Sequence, residues 1–269
     1  MKRWLTILLL GLFITGSAST ATMSEYQLSP YVVDTQALLS LTFGNQVDQA
    51  KLNDREYVFY DLPGSDGAPF CGLDDTAGFG QMRLTCYTAL VATETHEPDI
   101  YENIEPSGIA KCALSAQEAQ QQAETAIQSL GITDYSFQSI TAYGKLEHVT
   151  SGYRVAYGQL LNGVPVYWAA SLHLDEMAAC PESNRIEVTL GDSGLVTISG
   201  FWSLFTPIGH DITVLSEQDA LAAFTAVGVQ ANAAELCYLL AGNQKATAAT
   251  AAYRYQNRFI NAADGSLLQ

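Results

Sequence analysis

The chain has 269 residues, with 28 acidic against 12 basic side chains for a formal net charge of −16, and 48% of it is hydrophobic. That balance excludes electrostatic binding of nucleic acid or of an anionic membrane surface, because both need clustered Lys and Arg. The length allows two or three small domains with real cores.

The first 21 residues read as a signal peptide. Lys2 and Arg3 form the positive end, Leu5 to Ile14 is almost wholly apolar, and Gly16, Ser17, Ala18, Ser19 and Ala21 suit a signal peptidase. The apolar run is about half of the roughly 20 residues that span a bilayer, so cleavage is expected rather than a stable anchor. The expected location is secreted or extracytoplasmic, in a Gram-positive-type bacterium.

Residues 22 to about 30 read as a polar, extended leader. From Val32 to Phe43, Asp34 is placed to cap a helix with Leu38, Leu39 and Leu41 on its apolar face and Gly44 at its end. Glu56 to Leu62 has strand composition. Pro63 to Gly80, rich in glycine and holding Asp66, Asp74 and Asp75, reads as a long loop or a set of turns. Gln81 to Thr93 alternates like a strand, and Asn103 to Lys111 reads as a connector and domain boundary.

Beyond it the pattern changes. Ser115 and Glu118 form a capping box before Ala119, Ala123, Ala126, Ile127 and Leu130 at helical spacing, and Gly131 ends the helix. Strands are expected at Tyr135–Tyr143, Tyr153–Leu161 and Val164–Leu174, with Asn162-Gly163 as a hairpin turn. A loop from Asp175 to Asn184 leads into a hairpin over Arg185–Phe205, turning at Gly191-Asp192-Ser193-Gly194. The order then recurs. Ser216 and Asp219 start a second helix with Ala220, Phe224 and Val227, followed by strands at Glu235–Leu240 and Ala252–Ile260 and a turn at Asp264-Gly265. Ser115 and Ser216, and the Tyr153-Arg154 and Tyr253-Arg254 pairs, recur at about the same interval, which suggests an internal repeat.

The expected fold class is therefore α+β. Tandem units of one helix on an antiparallel sheet occupy 111–205 and, shortened, 206–269, with an additional N-terminal α+β region of uncertain fold at 22–110. The segments SGYRVAYGQLLNGVPVYWAASLHL and IEVTLGDSGLVTISGFW, with the Leu114-Ser115 helix start and Asp264-Gly265, resemble the PepSY superfamily, a cystatin-like fold. The likeness is greatest to Yyc-type extracytoplasmic regulators of sensor kinases and to the propeptides of thermolysin-like proteases. It covers about Lys111 to Gln269. It implies a module that restrains or senses another protein and carries no catalytic residues.

Chemistry is sparse. Cys71, Cys86, Cys112, Cys180 and Cys237 are odd in number and include no Cys-x-x-Cys; Cys71 and Cys86 are close enough in sequence to close a local loop. His96, His148, His173 and His210 are scattered, with no zincin motif. Asp66, Asp74 and Asp75 do not follow a calcium-loop pattern. Glu102 with Glu105, or Glu187 with Asp192, would need a defined separation in space to cleave a glycoside. The Gly-Asp-Ser-Gly turn matches part of a serine-protease signature, but Leu195 and Val196 follow it and no matching histidine motif precedes it. No catalytic residue, metal or cofactor is expected. The candidate partner-binding residues are Tyr167, Trp168, Phe201, Trp202 and Phe205, as a groove or as core. The leading expectation is an exported, non-catalytic protein- or peptide-binding regulatory module of the cell envelope. An inhibitor or chaperone of a secreted protease comes second, and an enzyme acting on cell-wall or sugar substrates third.

Overall fold

The structure is a computed structural model; it describes residues 21–29, 34–54, 58–63, 68–75, 82–90, 101–102, 109–110, 112–144, 149–169, 182–241 and 248–268. Strand β1 (Thr22–Ser29) opens the chain. Helix α1 (Thr35–Phe43) starts where the sequence predicts, with Asp34 Oδ1 accepting from the Ala37 amide at 3.1 Å. A 3-10 turn (Gly44–Gln49) leads to β2 (Lys51–Asp54), β3 (Val58–Asp61), β4 (Phe70–Asp75) and β5 (Met82–Tyr87), with short β6 (Tyr101–Glu102) and β7 (Ile109–Ala110) after them.

Helix α2 (Ala116–Ser129) has the expected capping box: the Glu118 amide donates to Ser115 Oγ at 3.2 Å and the Ser115 amide donates to Glu118 Oε2 at 2.8 Å. Then come β8 (Tyr135–Gly144), β9 (Val149–Thr150), β10 (Gly152–Leu161), β11 (Val164–Ala169), β12 (Glu182–Ser183), β13 (Arg185–Gly191), β14 (Gly194–Trp202) and β15 (Leu204–Thr213). Helix α3 (Glu217–Ala226), capped by Ser216, precedes β16 (Glu235–Ala241), β17 (Ala248–Tyr255) and β18 (Arg258–Asn261).

The expected α+β class is overturned. The protein is mostly β: sixteen of the described strands join one mixed sheet, in the path β15-β1-β17-β16-β11-β10-β13-β14-β5-β4-β3-β2, and the helices are short additions to it. The tandem units fail physically because neither stretch completes its own sheet. From the N-terminal region, β5 zips onto β14 (Ser199 opposite Thr85, Trp202 opposite Met82). From the same region β1 pairs with both β15 and β17. Two local expectations fall with the class. The "leader" at 22–30 is β1, which buries Met23 and Tyr26, and the "loop" at Pro63–Gly80 contains β4, paired on both sides.

Two cores result. In the first, α1 contributes Leu38 and Phe43, and α2 contributes Ala119, Ala123, Ala126 and Ile127. They cover one face of the β2–β5 and β13–β14 strands with β10, meeting Leu84, Val155, Tyr157, Ile186, Val188, Leu190, Ile198 and Trp202. Small alanines let the helix lie close to the sheet. In the second, Phe224 and Ala220 of α3 pack with Met23 and Tyr26 of β1, Val166, Tyr238, Leu240, Tyr253 and Ile260. The β10–β11 hairpin joins the two. Asn162 and Gly163 take left-handed φ of 51° and 78° between the paired Leu161 and Val164, as a primed two-residue turn requires. Strand β11 then runs parallel to β16, Val166 opposite Tyr238, so the chain crosses from an antiparallel sheet into a mixed one.

Candidate binding surface

The five aromatics do not share one surface. Successive strand residues face opposite sides of a sheet, so Tyr167 and Trp168 part, as do Phe201 and Trp202. Trp168 stacks on Phe201 with centroids 6.2 Å apart and 28° between planes. Trp202 is 3% exposed and belongs to the first core. Phe205 meets Tyr26 edge-on at 6.5 Å. Tyr167 lies against Phe259, with the Arg254 guanidinium 4.2 Å over its ring. Its hydroxyl donates to Glu235 Oε2 at 3.1 Å, and Arg254 pairs with that carboxylate at 3.3 Å. Burial, opposed by Arg254, pushes the Tyr167 phenol up to about 12.

Where the sheet passes from one core to the other, polar side chains replace apolar ones. Gln159, Asn184 and Ser203 are 4%, 0% and 1% exposed. Asn184 Nδ2 donates to Gln159 Oε1 at 2.8 Å and to Ser203 Oγ at 3.1 Å, and the Ser203 amide donates to Gln159 Oε1 at 3.1 Å. Gln159 Nε2 returns a bond to the Ser203 carbonyl. A cleft of about 130 Å³ opens above this network, lined by Ile132, Asp134, Gln159, Trp202, Ser203 and Phe205 among others. The sequence signal for it was weak: three isolated polar residues in otherwise apolar strands.

The sheet margins differ in chemistry. An open strand edge invites pairing with another chain, and proteins blunt it with charge, proline, bulges or brevity. Strand β15 has Pro207, Asp211 and a bulge opposite β1 between Ser24 and Tyr26. Strand β2 is short and carries Lys51 and Asp54; β12 has two residues; β18 is short and bridged by Leu267. Strand β8 is ten residues long with no charge and no proline, and has one bulge, at Gln138 between the paired Phe137 and Ser139. Its inner side is held by β10, and among the described residues its outer strand neighbour is β6, at Tyr143 and Gly144. Phe137 on β8 is 44% exposed, its ring 6.2 Å from Tyr157, and Ile140 is half-buried against the first core.

Among the described residues, those considered for catalysis are not drawn together. Among the described residues no three His, Cys, Asp or Glu side chains are grouped to hold a metal. His210 is exposed on β15, while His96, His148, His173, Asp66, Glu105 and Cys180 lie outside the described residues. Asp74 and Asp75 belong to β4. Glu187 is ion-paired with Arg185, and Asp192 Oδ1 accepts from the Ala113 amide at 2.6 Å. Asp192 and Ser193 are the exposed corner of the β13–β14 hairpin, where Gly191 faces Gly194.

Buried thiols give an alkaline signature. Burial pushes Cys71 up to about 12 and Cys86 up to about 11. Raised folded values disfavour the thiolate, so their contribution is complete below the unfolded value near pH 9 and is lost as pH climbs through 11 to 12. For protein kept reduced, the thermal midpoint should be level up to about pH 9 and then fall, with a loss of about 5 kcal/mol by pH 11. A midpoint that stays level across that window would show that the thiols are not buried as described.

No family model and no curated protein matches the chain. A solved structure of an uncharacterised protein from Eubacterium rectale is similar in fold, with a TM-score of 0.51 and 9% identity, covering 92% of this chain and 86% of that one. At that identity the likeness is one of fold alone.

Proposed function

We propose that the chain is an exported, non-catalytic module of the bacterial cell envelope that binds an extended segment of a partner protein along the outer edge of β8. The observation that carries this is the contrast between margins: β15, β2, β12 and β18 carry charge or proline or are short, whereas β8 is long and uncharged, with one bulge at Gln138 and, among the described residues, only the two-residue β6 on its outer side. Strand addition supplies affinity through main-chain hydrogen bonds, and side-chain contacts supply choice of partner. Phe137 and Ile140 offer apolar contact beside that edge. The leading segment of Lys2, Arg3 and the apolar run supports export, and the PepSY-like motifs support a regulatory partner.

The test is capture from a native envelope extract on the immobilised mature chain. It compares the wild type, Ser139→Lys/Thr141→Lys on β8 and, as a control, Thr206→Lys on β15. The expected result is a protein retained by wild type and control and lost, at least tenfold, by the β8 variant, with all three unfolding at similar temperatures. Retention by the β8 variant at wild-type level, or no retained protein at all, would sink the proposal.

A further inference from the structure

Cys71 and Cys86 sit directly opposite each other on β4 and β5. Directly opposed residues in an antiparallel pair share a face and have Cα atoms about 4.5–5.5 Å apart, inside the range of roughly 4.4–6.8 Å that disulfides occupy. Both side chains are wholly buried, pointing into the first core beneath α1. Thr42 of α1 lies over them: its Oγ1 donates to the Leu38 carbonyl at 2.7 Å and is 3.2 Å from Cys86 Sγ. The single hydroxyl proton is spent on Leu38, so the Cys86 thiol is the donor to Thr42, and an S–H donor is weak. Little is therefore lost if that proton leaves.

We infer that Cys71 and Cys86 form a cross-strand disulfide that clamps β4 to β5 when the chain folds in the presence of a small-molecule disulfide. The thiolate of one cysteine attacks a sulfur of the small disulfide, giving a mixed disulfide and releasing one small thiol. The second thiolate attacks the protein sulfur of that mixed disulfide, forming the Cys71–Cys86 bond and releasing the second small thiol. The two protein thiols are oxidised, the small disulfide is reduced to two thiols, and the two protons leave with them. Burial holds both thiols protonated in the folded state, so exchange there is slow. The bond is made before the first core closes, and afterwards the core shields it from reductant.

The experiment refolds the full chain from the reduced, unfolded state in a mixture of reduced and oxidised glutathione, blocks residual thiols by alkylation and maps tryptic peptides. Arg83 lies between the two cysteines, so the bond appears as two tryptic peptides joined, lighter by two hydrogens than their sum. The expected result is that this linked pair is the main cross-link and that it resists reductant until denaturant is added. The oxidised protein should also melt on the order of 10 °C above the same chain refolded in reductant, as a loop of about 15 residues predicts. Alkylation of both cysteines after refolding, dominant cross-links to other cysteines, equally fast reduction with and without denaturant, or an unchanged melting temperature would each overturn the inference.

Discussion

Replacing Asn184 by leucine should lower the unfolding free energy by on the order of 3 kcal/mol, although leucine is close in size and more apolar. The asparagine is fully buried, and its amide nitrogen serves Gln159 and Ser203, both buried themselves. A leucine would withdraw those donor bonds and set an apolar group against acceptors out of reach of water. Withdrawing a partner from a buried polar atom costs about 1–3 kcal/mol. Ser203 Oγ loses the Asn184 donor outright, while Gln159 Oε1 loses one of two donors and keeps the Ser203 amide. Chemical denaturation read by tryptophan fluorescence is the measurement, because Trp202 lines the cleft above the network. A variant within about 0.5 kcal/mol of wild type would mean that the three polar residues are incidental. Replacing all three by apolar residues should be no milder, because the buried Ser203 amide and carbonyl would then lose their bonds to Gln159.

Phe224→Ala should cost about 4 kcal/mol, within the span seen when a buried phenylalanine is truncated. The ring is 0% exposed, meets Tyr255 at 6.2 Å and is the largest side chain that α3 puts into the second core. A ten-residue helix does not hold its shape in water unaided, so its order depends on that anchor. For a chain of this size the midpoint should fall by roughly 8–16 °C. Circular dichroism melts would show it, and limited proteolysis should cut the variant first near α3. A fall of less than about 3 °C would place the ring outside the core.

Local features were readable from the chain because they depend on neighbours in sequence. The Asp34, Ser115 and Ser216 caps, the Asn162-Gly163 turn and the alternation of Ile186, Val188 and Leu190 are of this kind. The class of the fold was not readable, because it depends on what lies beside each strand. Nothing within TMSEYQLS indicates that it sits between β15 and β17, and its outward polar residues disguise the buried Met23 and Tyr26. In β4, glycine and paired aspartates carry turn composition, yet neighbours on both sides make it a strand. The aromatic group was visible as composition, but its division among a core, a stacked pair and a cation-covered ring follows from strand facing and pairing. The outer side of β8 escaped notice because which strand lies beside another is not encoded by the residues within it.

The seating of β1 has a consequence in time. Thr22 is matched with Thr213 and Tyr26 with Ala249, so a strand made near the start of synthesis finds its partners only among residues made near the end. Pairings that distant along the chain form slowly. The half around Phe224 should therefore be assembled last, after its final strands emerge, and a nascent chain halted before residue 204 should hold Met23 and Tyr26 out for chaperones to grasp.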